Sequence, residues 1–187
     1  MNILLTGGSA NGKSTYAEKL AAACAPPVYY LATMRPYGEE SLAKIARHLA
    51  MRAERGFRTV ERDVRVASFV PDAGATVLLE CLCNLTANEL FDNNGTADAF
   101  AAERILADIA ALESRCENLI VVTNDVGSGF AGIPAAGYSA STRLYVEILG
   151  LLNATLAARF DLVCELVCGI PLLLKGTPPP SFPRGTP

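Results

Sequence analysis

Eight consecutive residues, Gly7, Gly8, Ser9, Ala10, Asn11, Gly12, Lys13 and Ser14, carry the strongest chemical signal in the chain. They satisfy the pattern G-x-x-x-x-G-K-[ST]. Glycines allow successive backbone N–H groups to turn toward an anion with no side chain in the way, and a helix opening at the same point adds its positive N-terminal end. A lysine at the seventh position neutralises the outer phosphates of a nucleotide, and a hydroxyl at the eighth can ligate Mg²⁺. The expected ligand is therefore a nucleoside triphosphate, ATP or GTP, with Lys13 catalytic and the other seven residues binding phosphate or metal.

A metal held by Ser14 needs a carboxylate beside it. Glu80 closes the apolar run Thr76-Val77-Leu78-Leu79, at the carboxyl end of a strand where open α/β sheets bind their ligands. On pattern alone a solvated strand-end acid explains Glu80 as well. Asp125, just beyond the run Leu119 to Thr123, is a second candidate. The one histidine, His48, lies among Lys44, Arg47 and Arg52 in a segment with helical spacing, with Arg52 one turn away on the same face. Such a cluster suits a polyphosphate, and the imidazole there could serve as acid, base or nucleophile. A single histidine on a charged helix is nevertheless more often a solvated surface residue, and spacing does not reverse that reading.

These residues need a frame. Short apolar runs at Ile3–Leu5, Val28–Ala32, Thr76–Glu80, Leu119–Thr123 and Asp161–Val167 read as strands, with a brief extended piece at Phe57–Glu61. Helical patterns fall at Ser14–Ala23, Glu39–Arg55, Leu82–Phe91, Ala97–Arg115 and Ser139–Phe160. The fourth is amphipathic, with Phe100, Ile105, Ile109 and Leu112 on one face. Asn124 to Gly137 reads as a glycine-rich loop. Strands alternating with helices predict an α/β fold of the P-loop NTPase kind, a mostly parallel sheet with helices on both faces. One domain over residues 1–175 is expected, followed by a disordered proline-rich tail over residues 176–187.

The chain has 187 residues, 51% of them hydrophobic and 19% charged, with a formal net charge of −3. That balance suits a compact globular protein and gives no reason to expect a nucleic-acid partner. No apolar stretch approaches the roughly 20 residues that span a bilayer, and Met1–Gly7 has neither the basic leader nor the cleavage site of a signal peptide. The six cysteines form no Cys-x-x-Cys pair and read as buried thiols of a reducing, cytoplasmic setting.

Taken in order, several segments resemble the bifunctional adenosylcobinamide kinase / adenosylcobinamide-phosphate guanylyltransferase family of cobalamin biosynthesis. They are Leu5–Ser14, Tyr30–Thr33, His48-x-x-x-Arg52, Phe57–Glu61, Leu78–Cys81, Val122–Gly129, Gly150–Asn153 and Gly169–Lys175. The resemblance spans residues 1 to about 175. It implies that the γ-phosphate of ATP or GTP passes to the primary hydroxyl of adenosylcobinamide. It also implies that a histidine attacks the α-phosphate of GTP and then yields GMP to the substrate phosphate, giving adenosylcobinamide-GDP. His48 occupies the position of that guanylylated histidine, with Arg52, Glu61 and Glu80 at nucleotide-binding positions, and a homotrimer is implied. The chain departs from the family at Asn11, where serine is usual, at Phe57 for tryptophan, at Asp125 for glutamate, and at Ala135 and Ala136, where an acidic residue usually follows Pro134. One residue is inserted between Arg52 and Phe57, while Arg143 and Glu147 keep a polar pair on the last long helix. These changes leave nucleotide binding little affected. Two other readings stay open on sequence: a small-molecule kinase that lacks guanylyl transfer, and a nucleotide-dependent regulatory module.

Overall fold

A computed structural model describes residues 1–35, 55–91, 95–126, 138–180 and 182. The strands are β1 (Asn2–Thr6), β2 (Val28–Ala32), β3 (Phe57–Glu61), β4 (Thr76–Glu80), β5 (Asn118–Val122), β6 (Leu162–Val167) and β7 (Ile170–Lys175). They form one sheet in the order β3-β2-β4-β5-β1-β6-β7. Each neighbouring pair is parallel except β6 with β7. The described helices are α1 (Lys13–Ala22), α2 (Leu82–Leu90), α3 (Ala101–Glu113) and α4 (Ala140–Arg159).

The two faces of the sheet follow the period of two along each strand. Leu4, Val77, Leu79, Leu119 and Val121 point to the side covered by α2, α3 and α4. Ile3, Leu5, Leu78, Ile120 and Val122 point to the side covered by α1, through Tyr16, Ala17, Leu20 and Ala21. Four successive residues of β4 are buried because both of its faces are covered, which explains its unbroken apolar run. The expected α/β architecture with helices on both faces is what the chain adopts.

Four local expectations need correction. The apolar stripe of α3 excludes Phe100, which precedes the helix and is 67% exposed; Ile105, Ile109 and Leu112 carry the contact together with the buried Ala101. The sheet does not end at β6. Gly169 takes a left-handed φ of +82°, which lets Ile170–Lys175 fold back antiparallel on β6. The tail, expected to have little to bury, lays Phe182 edge-on against Tyr16 at 6.4 Å between ring centroids. The cysteines are all free thiols, but Cys168 is exposed and Cys81 is only half-buried. The predicted helix 39–55 lies outside the described residues, apart from Arg55.

The end of β7 is fastened to the end of α4. Lys175 Nζ donates to the carbonyls of Ala157, Ala158 and Phe160 at 3.1, 2.7 and 2.7 Å. These carbonyls have no partner within the helix, and the ammonium also complements the negative end of the helix dipole. Replacing Lys175 by Met should keep the stem and lose the cap. The expected loss is about 1–2 kcal/mol of stability, read as a lower urea midpoint with an unchanged slope.

Candidate active site

The loop Gly7–Gly12 joins β1 to α1 at the carboxyl edge of the sheet, and its shape depends on two glycines. Gly7 has φ of +136°, and a Cβ there would sit 2.4 Å from the Leu166 carbonyl oxygen of neighbouring β6. Gly12 has φ of +82° immediately before the first turn of α1, and its carbonyl accepts from Tyr16 N at 3.0 Å. Ala10 takes a left-handed φ of +58°, an uncommon conformation for a residue with a Cβ. Two backbone bonds hold the loop from outside: Asp125 N donates to Gly7 O, and Gly169 N donates to Asn11 O, each at 3.2 Å. Asn11 thus meets the β6–β7 turn through its backbone, a contact that any residue type could make; nothing in the structure explains asparagine there in place of serine.

Lys13 is the first residue of α1 and only 6% exposed. Its Nζ arches over the loop to donate to Gly8 O at 2.6 Å. Burial draws its pKa below the usual lysine value, while the neighbouring Cys81, Cys83 and Glu80 act the other way. The ammonium is therefore held among the loop amides, where an outer phosphate would complete its hydrogen bonds.

Across the loop, Glu80 ends β4, level in register with Ala32 of β2 and Val122 of β5. The Ser14 hydroxyl donates to Glu80 Oε1. The structure thus brings together the pair that pattern alone left open. A hydroxyl and a carboxylate side by side next to a phosphate loop are the hard oxygen donors that Mg²⁺ prefers, so these residues fit that ion. Between them lies a cleft of about 580 Å³, bounded by residues 9–15 on one side and by Glu80, Cys81, Asn84, Val122 and Asn124 on the other.

The remaining expected site residues are placed less closely. Glu61 ends the edge strand β3, opposite Ala32, which is in turn opposite Glu80. It therefore shares the ligand-binding edge of the sheet but stands two strands from Glu80, roughly 10 Å by strand spacing, and does not line the cleft. His48 and Arg52 lie outside the described residues. Asp125 reaches the loop through its backbone N–H.

Sequence reasoning from residue chemistry missed Cys81, Asn84 and Asn124 as cleft residues. Asn124 is fixed from behind: Asn153 Nδ2 donates to its carbonyl at 3.2 Å, and its own N–H points to Cys83 Sγ at 3.2 Å. Asn153 Oδ1 in turn accepts from the buried Thr123 hydroxyl at 2.7 Å. A hydrogen bond from Cys81, with further ones from the Asn124 amide and Thr123, holds the Cys83 thiol below the usual cysteine value. The signal available beforehand was Asn153 itself, an amide on the sheet-facing side of an otherwise apolar helical stretch.

The family model for cobinamide kinase / cobinamide phosphate guanyltransferase matches residues 3–174. The chain belongs to that family. The bifunctional adenosylcobalamin biosynthesis protein CobU of Escherichia coli K12 is 34% identical over 188 residues, covering 94% of this chain and 100% of that protein. The bifunctional protein CobP of Pseudomonas aeruginosa is 33% identical over 181 residues, with 95% and 99% covered. CobU of Salmonella typhimurium is 34% identical over 190 residues, covering 94% of this chain and all of its own length. A Pyrococcus horikoshii structure shares the fold at a TM-score of 0.52 and 8% identity, covering 98% of this chain and 89% of its own. Membership of the cobinamide kinase / guanyltransferase family makes the chain a transferase with kinase and guanylyltransferase activities in cobalamin biosynthesis. Among the described residues, no helix is long and apolar enough to cross a membrane.

Adding one methyl group at Gly7 tests the loop. Gly7→Ala forces a Cβ against the Leu166 carbonyl at an unfavourable φ, so the loop must move. Affinity for ATP and GTP should fall at least about tenfold, near 1.4 kcal/mol, by titration calorimetry.

Proposed function

We propose that this chain transfers the γ-phosphate of ATP or GTP to the primary hydroxyl of adenosylcobinamide, then moves GMP from GTP onto that phosphate through His48. The contact of Ser14 with Glu80 beside the buried Lys13 carries the reading, because it supplies metal-holding oxygens and a phosphate-neutralising cation around one cleft. The nucleotide that family membership implies suits such a cleft.

In the kinase step the backbone amides of Gly7–Ser14 and the positive end of α1 hold the β- and γ-phosphates, and Lys13 offsets the charge that gathers on the transferred group. Ser14 and Glu80 would hold Mg²⁺, which when bound shields the phosphate oxygens. The substrate hydroxyl oxygen bonds to the γ-phosphorus as the bond from that phosphorus to the nucleoside diphosphate breaks, and the hydroxyl proton is released to solvent.

In the second step a ring nitrogen of neutral His48 forms a P–N bond to the α-phosphate of GTP, and pyrophosphate leaves. An oxygen of the substrate phosphate then displaces the imidazole, which breaks the P–N bond and gives adenosylcobinamide-GDP. Dividing one transfer into two lets Arg52 and its basic neighbours stabilise charge at each stage. Glu61, on the same edge of the sheet, belongs to this half of the site in our reading. We further propose a single catalytic unit over residues 1–175, a cytoplasmic setting and a homotrimer.

Incubation with Mg²⁺ and α-labelled GTP should leave label on the protein that survives denaturation and is released by acid. His48→Ala should carry none. Absence of label on the wild-type chain, with cobinamide still phosphorylated, would sink the histidine route and leave a kinase. Lys13→Ala should lower kcat for phosphorylation by about 10²–10³-fold or more, measured with γ-labelled nucleotide; turnover near wild type would refute the assignment of Lys13.

A further inference from the structure

Glu80 can meet Ser14 only if the backbone that follows it is held in place. The β2 backbone reaches as far as the Glu80 carbonyl, through Thr33 N, and the Cys81 N–H beyond it turns to a side chain instead. Register between β2 and β4 runs from Val28–Thr76 to Ala32–Glu80 and then ends. The next peptide, Glu80–Cys81, turns out of the sheet toward α2, and its second residue lines the cleft. One side chain closes this gap. Thr33, fully buried, accepts from Cys81 N at 2.7 Å through its hydroxyl oxygen. The single hydroxyl proton lies between Glu80 O at 3.0 Å and Cys81 O at 2.8 Å. Thr33 N donates to Glu80 O at 2.9 Å as well.

Thr33 is itself anchored. Its carbonyl accepts from Asn88 Nδ2 of α2 at 2.8 Å, and the same amide nitrogen donates to Asp63 O at 3.0 Å. A buried hydroxyl at the end of strands that carry Leu31 and Leu79 in the core would be needless for packing, where valine has the same shape and a higher strand preference. The hydroxyl is accounted for by the two successive peptides on either side of Cys81, whose N–H and carbonyls it meets.

We propose that Thr33 is a positioning residue that sets the Glu80 carboxylate against Ser14 and so governs how well the chain binds a metal–nucleotide complex. The proposal rests on Ser14 and Glu80 as the metal-holding pair. Thr33 touches neither substrate nor metal; it acts through the direction of the Glu80–Cys81 backbone. Partners behind metal ligands commonly change metal affinity by 10–100-fold when removed.

Calorimetric titration of the full chain with ATP, in Mg²⁺ and in EDTA, tests this. Thr33→Val should weaken MgATP binding by about tenfold or more while changing metal-free ATP binding by less than about twofold. Thr33→Ser keeps the hydroxyl and should stay close to wild type in both. Glu80→Gln should show the same Mg²⁺-selective loss, and adding Thr33→Val to it should cause no further loss, because both act at one point. Equal losses with and without Mg²⁺ in Thr33→Val, failure of Thr33→Ser to restore affinity, or additive losses in the double variant would each overturn the proposal. If Glu80→Gln itself lacks a Mg²⁺-selective effect, the metal-holding pair is wrong; a normal Glu80→Gln result beside a silent Thr33→Val overturns the Thr33 role alone. Should Thr33→Val fail to fold, Thr33→Ala, which leaves room for a water in place of the hydroxyl, takes its place in the same cycle. A Mg²⁺-selective loss in that variant supports the Thr33 role, and an equal loss in EDTA overturns it.

Discussion

The Ser14 hydroxyl reaches the Glu80 carboxylate because α1 leaves the loop across the sheet instead of running alongside β1. β1 and β4 are not neighbours; β5 lies between them, so their carboxyl ends stand roughly 10 Å apart by strand spacing. A carboxylate at that distance is too far to serve phosphates bound beside β1 unless the start of α1 spans the gap. Burial of Tyr16, Ala17, Leu20 and Ala21 on Ile3, Leu78 and Ile120 directs the helix over β4 and β5, and places Ser14 in its first turn above Glu80. Most of the other site features depend on this crossing.

The loop tolerates the crossing because its backbone is held on two sides. Leu166 presses against Gly7 from β6, Asp125 N grips the Gly7 carbonyl from the end of β5, and Gly169 N grips Asn11 from the β6–β7 turn. Adding the antiparallel β7 therefore does more than extend the sheet. The reversal at Gly169 that starts β7 also supplies one of the loop's outer hydrogen bonds, while Lys175 at the far end pins the strand to α4. Asn153 of α4 meanwhile secures Thr123 and Asn124. The same helix thus supports both the sheet edge and the floor of the cleft.

Charge around the cleft is arranged for an anion. Lys13 is buried, and what keeps that tolerable is the carbonyl of Gly8 together with the negative potential of Glu80. Each of these partners is one that a phosphate can supplement. The arrangement is stable as it stands and also suited to an incoming polyanion.

The amino-acid sequence by itself determined the phosphate loop, the alternation of strands and helices, and the two-sided burial of the sheet. These are local properties: glycine conformation, a lysine and a serine at the mouth of a helix, and periods of 2 and 3.6 residues are written in contiguous residues. It also ranked Glu80 as a candidate, from its place at the end of an apolar strand, but could not separate it from a solvated acid. Only the tertiary structure brings Glu80 to Ser14, since the two are 66 residues apart and meet through the path of α1. Thr33, Asn88 and Asn153 were opaque for the same reason, because their partners are 25 to 55 residues away. β7 escaped notice because Pro171 and a run of leucines with no alternation give no strand signal, and only pairing with β6 makes them one. Long-range hydrogen bonds are set by how the layers pack, and no window along the chain contains both of their ends.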